Sequence, residues 1–276
     1  MDLIPAKRVT EGGTPLWVWG DGPPIILIHG VLADHRMWSR QVAGLKPHFK
    51  VCCLDMLGHG EAPDPPGRRS LQDFVDQVDE TVDALSGDMR LGGDTRPALI
   101  GFSMGGLVAQ AYAVQHHRKL RGLVLLNAVH DRSSDEQKRV WERYQGNVQD
   151  GVEHAVQSAV RRWFKPSDYE ADPNAIEDTF AIMRDGDFAA KCKAHRVFVT
   201  ADGEVTGKLG QISCPALVMT GAEDTGSTPA MARKMAAALP KSELHILEDQ
   251  HHMMPVLDAA RVNGILIDFI NRLAKN

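Results

Sequence analysis

The sequence predicts an α/β architecture, with a mostly parallel central sheet, helices on both faces and an inserted helical cap. Three features carry the expectation. Six short runs rich in Val, Ile and Leu are bounded by Gly or Pro, segments of helical period alternate with them at both ends of the chain, and in the middle the alternation stops. Runs apolar on both faces suit parallel strands covered from both sides.

In order, the runs are 23–30 (PPIILIHG), 49–55 (FKVCCLD), 97–103 (PALIGFS), 121–127 (RGLVLLN), 214–221 (CPALVMTG) and 243–249 (ELHILED). Residues 3–9 and 15–19 are expected to add antiparallel edge strands. Helices are expected over 36–47, 70–86, 104–117, 228–239 and 255–274, the last two beginning near a proline suited to a first turn. The Gly- and Asp-rich piece 87–96 reads as a surface loop. Residues 132–208 carry helical stretches, charged faces and the aromatics Trp141, Tyr144 and Trp163, but no convincing strand. The expected division is therefore a core over 1–131, a helical cap over 132–208 and the rest of the core over 209–276.

With 43% hydrophobic and 24% charged residues of both signs, the chain can bury a sizeable core, and disorder is not indicated. A net charge of -5 supplies no basic footprint for nucleic acid or an anionic membrane surface, so a small molecule is the expected partner. Cys52 and Cys53 are adjacent while Cys192 and Cys214 stand alone, which is no disulfide framework and favours the cytoplasm. The N-terminus lacks a basic segment followed by an apolar one, and no apolar run is long enough to span a bilayer. Oligomeric state is open, a homo-oligomer included.

The third core run ends in Gly101-Phe102-Ser103-Met104-Gly105, followed by Gly106 and an apolar helical stretch. This is G-x-S-x-G in its strand-turn-helix setting, where the turn exposes the serine oxygen and the first helical amides point at the same space. A serine hydroxyl is a weak nucleophile and needs a base oriented by a carboxylate, in the chain order serine, acid, histidine. Asp224, in a Gly-flanked turn after run 214–221, is the expected acid, with Glu223 and Asp249 as fallbacks. His252 is the expected base. Spacing does not separate it from His251, whereas His245 sits inside a strand. The oxyanion donors are expected to be the Met104 amide and, after His29-Gly30, the Val31 amide. The sequence shows neither a metal-ligand cluster nor a P-loop, and the chemistry needs no cofactor.

With these residues in place the chain resembles an α/β-hydrolase over nearly its whole length: His29-Gly30, Asp55-Met-Leu-Gly-His59-Gly60, GFSMGG, GAED and a late histidine fall in that family's order. The resemblance implies that His29 and His59 shape loops. Within the family the chain is most similar to the 3-oxoadipate enol-lactonases and related small-substrate esterases, through Asp34-His-Arg36-Met37-Trp38, GFSMGG followed by LVAQAYA, and Arg162-Trp163-Phe164. It departs from the pattern at Leu257, where many relatives carry Glu, and in His29-Gly30, where enol-lactonases carry Asn-Ser. The resemblance implies a serine hydrolase of a carboxylic ester or (enol-)lactone acting through an acyl-enzyme. Arg36, Trp38, Arg162 and Trp163 would line a pocket for a small anionic substrate, a guanidinium offering bidentate recognition of a carboxylate. Carbon-carbon hydrolases of ring-cleavage diketo acids, esterases with cofactor-free haloperoxidase side activity and non-catalytic binding proteins share the architecture. Epoxide hydrolases and haloalkane dehalogenases place aspartate where Ser103 stands.

Overall fold

The computed structural model describes residues 5–86 and 94–273. The start of the expected strand 3–9, most of the loop 87–96 and the last residue of the helix 255–274 lie outside the described residues. The apolar runs form β1 (Ala6–Val9), β2 (Pro15–Trp19), β3 (Pro24–Ile28), β4 (Lys50–Leu54), β5 (Ala98–Phe102), β6 (Gly122–Leu126), β7 (Ala216–Gly221) and β8 (Ser242–Leu247). They make one sheet in the order β1-β2-β4-β3-β5-β6-β7-β8. β1 and β2 pair antiparallel at one edge, and β4, β3, β5, β6, β7 and β8 run parallel. Every residue of β3, β4, β5 and β6 is buried, which is why these stretches, apart from Lys50 at the start of β4, are apolar without alternation. β8, at the far edge, is only half-buried.

Parallel neighbours require crossovers, supplied by α1 (Ser39–Leu45), α2 (Leu71–Ser86), α3 (Met104–His116) and, further on, α8 (Pro229–Ala238). The expected helix 36–47 begins instead as a 3-10 turn, His35–Trp38, because the Asp34 carboxylate accepts from the Arg36 amide at 2.9 Å and tightens the entry. The expected helix 255–274 is two helices, α9 (Met254–Leu257) and α10 (Ala259–Leu273), broken at Asp258. Side chains of α1 compete for the carbonyls there: Gln41 Nε2 donates to the Pro255 carbonyl and Arg40 Nη1 to that of Val256 at 3.1 Å.

Between β6 and β7 stand four α-helices, two short 3-10 turns and no strand, the α-helices being α4 (Ser134–Trp163), α5 (Pro166–Ala171), α6 (Pro173–Arg184) and α7 (Phe188–Thr200). Ser133 caps α4 in a reciprocal box with Glu136. At Gly151, φ of +83° folds α4 back into two segments, a conformation that glycine adopts without steric cost. Lys191 of α7 is buried and its ammonium donates to the carbonyls of Ile182, Met183, Asp185 and Leu32, at 2.6 to 3.3 Å. It thereby closes the end of α6 and ties these helices to the loop after β3. No described helix is long and apolar enough to cross a membrane.

Candidate active site

The carboxyl ends of β3, β5, β6, β7 and β8 open toward α4, α6 and α7, where a twisted α/β sheet offers its crevice. Ser103 follows β5 with φ +53° and ψ -111°, a backbone state that a non-glycine residue occupies only when its surroundings impose it. Those surroundings are close. The Ser103 amide donates to the Leu126 carbonyl at 2.9 Å, while the Gly106 and Leu107 amides donate to the Ser103 carbonyl at 3.0 and 3.2 Å. A Cβ at Gly101 would lie 2.2 Å from the Gly105 oxygen, and one at Gly105 2.3 Å from the Ile28 oxygen. The glycines let strand, turn and helix meet with no room for a methyl group.

After β3 the chain is pinned by two buried histidines. His29 Nε2 accepts from the Met56 amide at 2.9 Å and Nδ1 donates to the Gly30 carbonyl at 2.8 Å. His59 Nε2 accepts from the Leu32 amide at 3.1 Å, holding Leu32 at φ +64°. Burial pushes both imidazoles below their usual range and keeps them neutral, as these hydrogen bonds require. The pinned Leu32 directly follows Val31. Among the described residues neither the Val31 nor the Met104 amide donates to a protein acceptor, so both remain available.

Asp224 and His252 come from the turns after β7 and β8. His252 Nδ1 lies 2.7 Å from Asp224 Oδ2, which also accepts from Asn127 Nδ2 at 2.8 Å. Asp224 Oδ1 accepts from the Gly226 and Ser227 amides at 2.8 and 2.9 Å. Burial works to raise the carboxyl pKa, but His252 and the hydrogen bonds from Asn127 and the Ser227 amide outweigh it and hold Asp224 below the ordinary carboxylate range. The fallback residues are elsewhere: Glu223 pairs with His251 at 2.7 Å on the rim, and Asp249 is exposed. His245 lies on β8, 3.9 Å from Glu243.

Ser103, His252, Val31, Arg162 and Trp163 line one cavity of about 290 Å³. Trp163 stacks on the His252 ring at 5.5 Å and Phe102 lies against it, tilted, at 5.0 Å, so two aromatic rings pack against the imidazole. A narrow apolar lobe of about 20 Å³, walled by Met37, Phe102, Ile182 and Met253, also reaches Ser103.

Two of the expected substrate contacts are not in that wall. Arg36 is held by Asp34, with Nη2 2.6 Å from Oδ2, and through the same Nη2 by Asp185 at 2.7 Å, so two carboxylates already balance its charge. Trp38 is fully buried beneath the turn, edge-on to Phe102 at 6.2 Å, and acts as support. The structure adds residues that sequence reasoning missed: Asn127, which holds Asp224, and Arg132, Arg139, Arg143, Asn147 and His195 in the cavity wall. One signal was present, since Arg139 and Arg143 are like charges four apart on a helix, an arrangement that costs stability unless something else uses it.

The profile of the alpha/beta hydrolase family matches residues 25–265. The chain is 29% identical over 245 residues to an (E)-2-((N-methylformamido)methylene)succinate hydrolase of Acinetobacter baylyi, covering 88% of this chain and 89% of that one. It is 28% identical over 235 residues to 3-oxoadipate enol-lactonase 2 of the same organism, covering 84% and 82%. The crystal structure of the enol-lactonase from Burkholderia xenovorans LB400 superposes with a TM-score of 0.83 at 24% identity, over 96% of this chain and 100% of that one. Fold, site geometry and profile agree: this chain belongs to the alpha/beta hydrolase family.

Proposed function

We propose that the protein hydrolyses a carboxylic ester or lactone of a small anionic acid through an acyl-enzyme on Ser103. The observation that carries the reading is the convergence on one cavity of Ser103 on its strained turn, His252 bonded to Asp224, and an arginine-lined wall. His252 takes the Ser103 proton at Nε2 as Oγ attacks the carbonyl carbon, and then returns it to the leaving alkoxide. Asp224, ionised and hydrogen-bonded to Nδ1, stabilises the imidazolium formed on the way. The Val31 and Met104 amides hold the oxyanion. Water, activated by the same histidine, then releases the acid and restores Ser103.

Cavity size and charge support the substrate class. A volume near 290 Å³ stands at the small end of ligand pockets. Arg162, beside Trp163 and the His252 ring, offers a guanidinium to a carboxylate on the acyl group. The two Acinetobacter relatives are named for a succinate and an oxoadipate derivative, in keeping with an acid substrate. A panel of p-nitrophenyl esters with and without a terminal carboxylate, run beside fluorophosphonate labelling, tests the proposal. Adduct formation at Ser103 and preference for the charged esters are expected. Ester cleavage that survives Ser103→Ala overturns it.

A further inference from the structure

Four guanidiniums line the main cavity, and they are unequally balanced. Arg132 Nη1 lies 3.2 Å from Asp202 Oδ1. Arg139 is exposed and within Coulombic range of Glu136, which lines the same wall. Arg143 and Arg162, both partly buried, have no carboxylate partner among the described residues. Arg143 makes no hydrogen bond there, and Arg162 makes one, from Nε to the Ser158 carbonyl at 3.1 Å. Asp224 is near Arg162, but its two oxygens already accept four other hydrogen bonds.

Burial first, and then other arginines, push both guanidiniums below the usual range, Arg162 to about 9 with Arg143 as its largest charged neighbour. Three buried polar atoms with no partner belong to residues of this wall, Arg132 Nη2, His195 Nδ1 and Ser227 Oγ. Polar groups left unpaired in a closed wall cost stability in the free protein, and a ligand that meets them recovers that cost.

We infer that the substrate carries two carboxylates besides the scissile carbonyl, one for Arg162 next to the reacting centre and one for Arg143, with His195 beside it. One carboxylate would leave the other guanidinium unpaired; two would balance both and relieve their repulsion. The helix geometry explains how the site is built. Glu136, Val140, Arg143 and Asn147 occupy one face of the first segment of α4, Ala155, Ala159 and Arg162 one face of the second, and the fold at Gly151 turns both faces onto the same cavity.

This inference rests on the Ser103 reading, and its test separates the two. p-Nitrophenyl esters of butyric acid, succinic acid and tricarballylic acid present zero, one and two free carboxylates. kcat/KM is expected to rise about tenfold or more at each addition, the scale of a hydrogen bond to a charged group. Arg143→Gln should abolish the second step, and Arg143→Lys should restore part of it. Melting curves establish that both variants are folded. Equal kcat/KM for the last two esters, or a second step that survives folded Arg143→Gln, overturns the inference. Calorimetric binding of the corresponding amides to Ser103→Ala protein reads the subsite without chemistry. No fluorophosphonate adduct with intact dianion preference in binding sinks the hydrolase reading alone, whereas labelling without dianion preference sinks the subsite alone.

Discussion

Asparagine at position 224 would remove a charge while keeping the side chain's shape, and the surrounding hydrogen bonds dictate the consequence. Asp224 accepts four: the Gly226 and Ser227 amides on Oδ1, Asn127 Nδ2 and His252 Nδ1 on Oδ2. An asparagine has one oxygen. With that oxygen toward the two backbone amides, its NH2 faces Nδ1 of His252, which can then only accept, so the ring proton sits on Nε2 and the histidine cannot take the proton of Ser103. The expected loss is about 10⁴-fold in kcat, or roughly 5.5 kcal/mol of barrier. With the oxygen turned the other way, two backbone donors face an NH2, costing about 1–3 kcal/mol each. Turnover of a p-nitrophenyl ester at pH 7, with a melting curve, measures both. A folded Asp224→Asn protein that keeps more than a tenth of wild-type kcat refutes the reasoning. Glu223→Gln is the control: its carboxylate pairs with His251 on the rim, and its removal is expected to change kcat less than about threefold.

Four more outcomes are expected. Ser103→Ala lowers kcat by about 10⁴-fold or more and loses the fluorophosphonate adduct, while Ser103→Gly, equally inactive, gains about 1–2 kcal/mol in denaturant titrations because glycine relieves the positive φ. Gly105→Ala forces a methyl to within 2.3 Å of the Ile28 oxygen and is expected to abolish folding or lower the melting temperature by more than about 10 °C; a native melting curve would contradict that geometry. Arg143→Gln, by deleting an unpaired charge, should raise the melting temperature by about 2–4 °C. Stability should fall with acid: burial, then Arg143, Arg162 and Arg132, push His195 down to about 3, so below pH 6.5 the unfolded chain binds a proton that the folded one refuses. That costs about 1.4 kcal/mol per pH unit between the two values, with His29 and His59 acting in the same sense. Asp224 adds to the loss at still lower pH, its stabilising effect vanishing as pH falls through its depressed folded pKa. Denaturant titrations at pH 7, 6 and 5 should give a slope shallower by one proton in His195→Phe.

The sheet was legible because its signals are local. A strand buried on both faces must be apolar along its interior, and PIILI, VCCL after Lys50, ALIGF and GLVLL say so without help from distant residues. The elbow is local too, since Gly101, Ser103 and Gly105 stand within five residues. The break at Asp258 was not legible: it depends on Arg40 and Gln41, more than 200 positions earlier, taking carbonyls of the short helix. The pairing of Arg36 is not local either. Asp34 is close in sequence, but Asp185, which shares Nη2 with it, is 149 positions away.

Sequence alone determined which residue types end which strands, because the turn after a buried strand has few chemical solutions and each leaves glycine, serine, aspartate or histidine at a set place. Tertiary structure alone decided what those residues face. The cavity wall is drawn from 132, 143, 162, 195 and 226, brought together by the fold at Gly151 and by Lys191 tying α7 to the loop after β3. Charge balance is a property of neighbours in space. Whether a guanidinium is already paired or left free for a substrate could therefore be read only once the chain had folded around it.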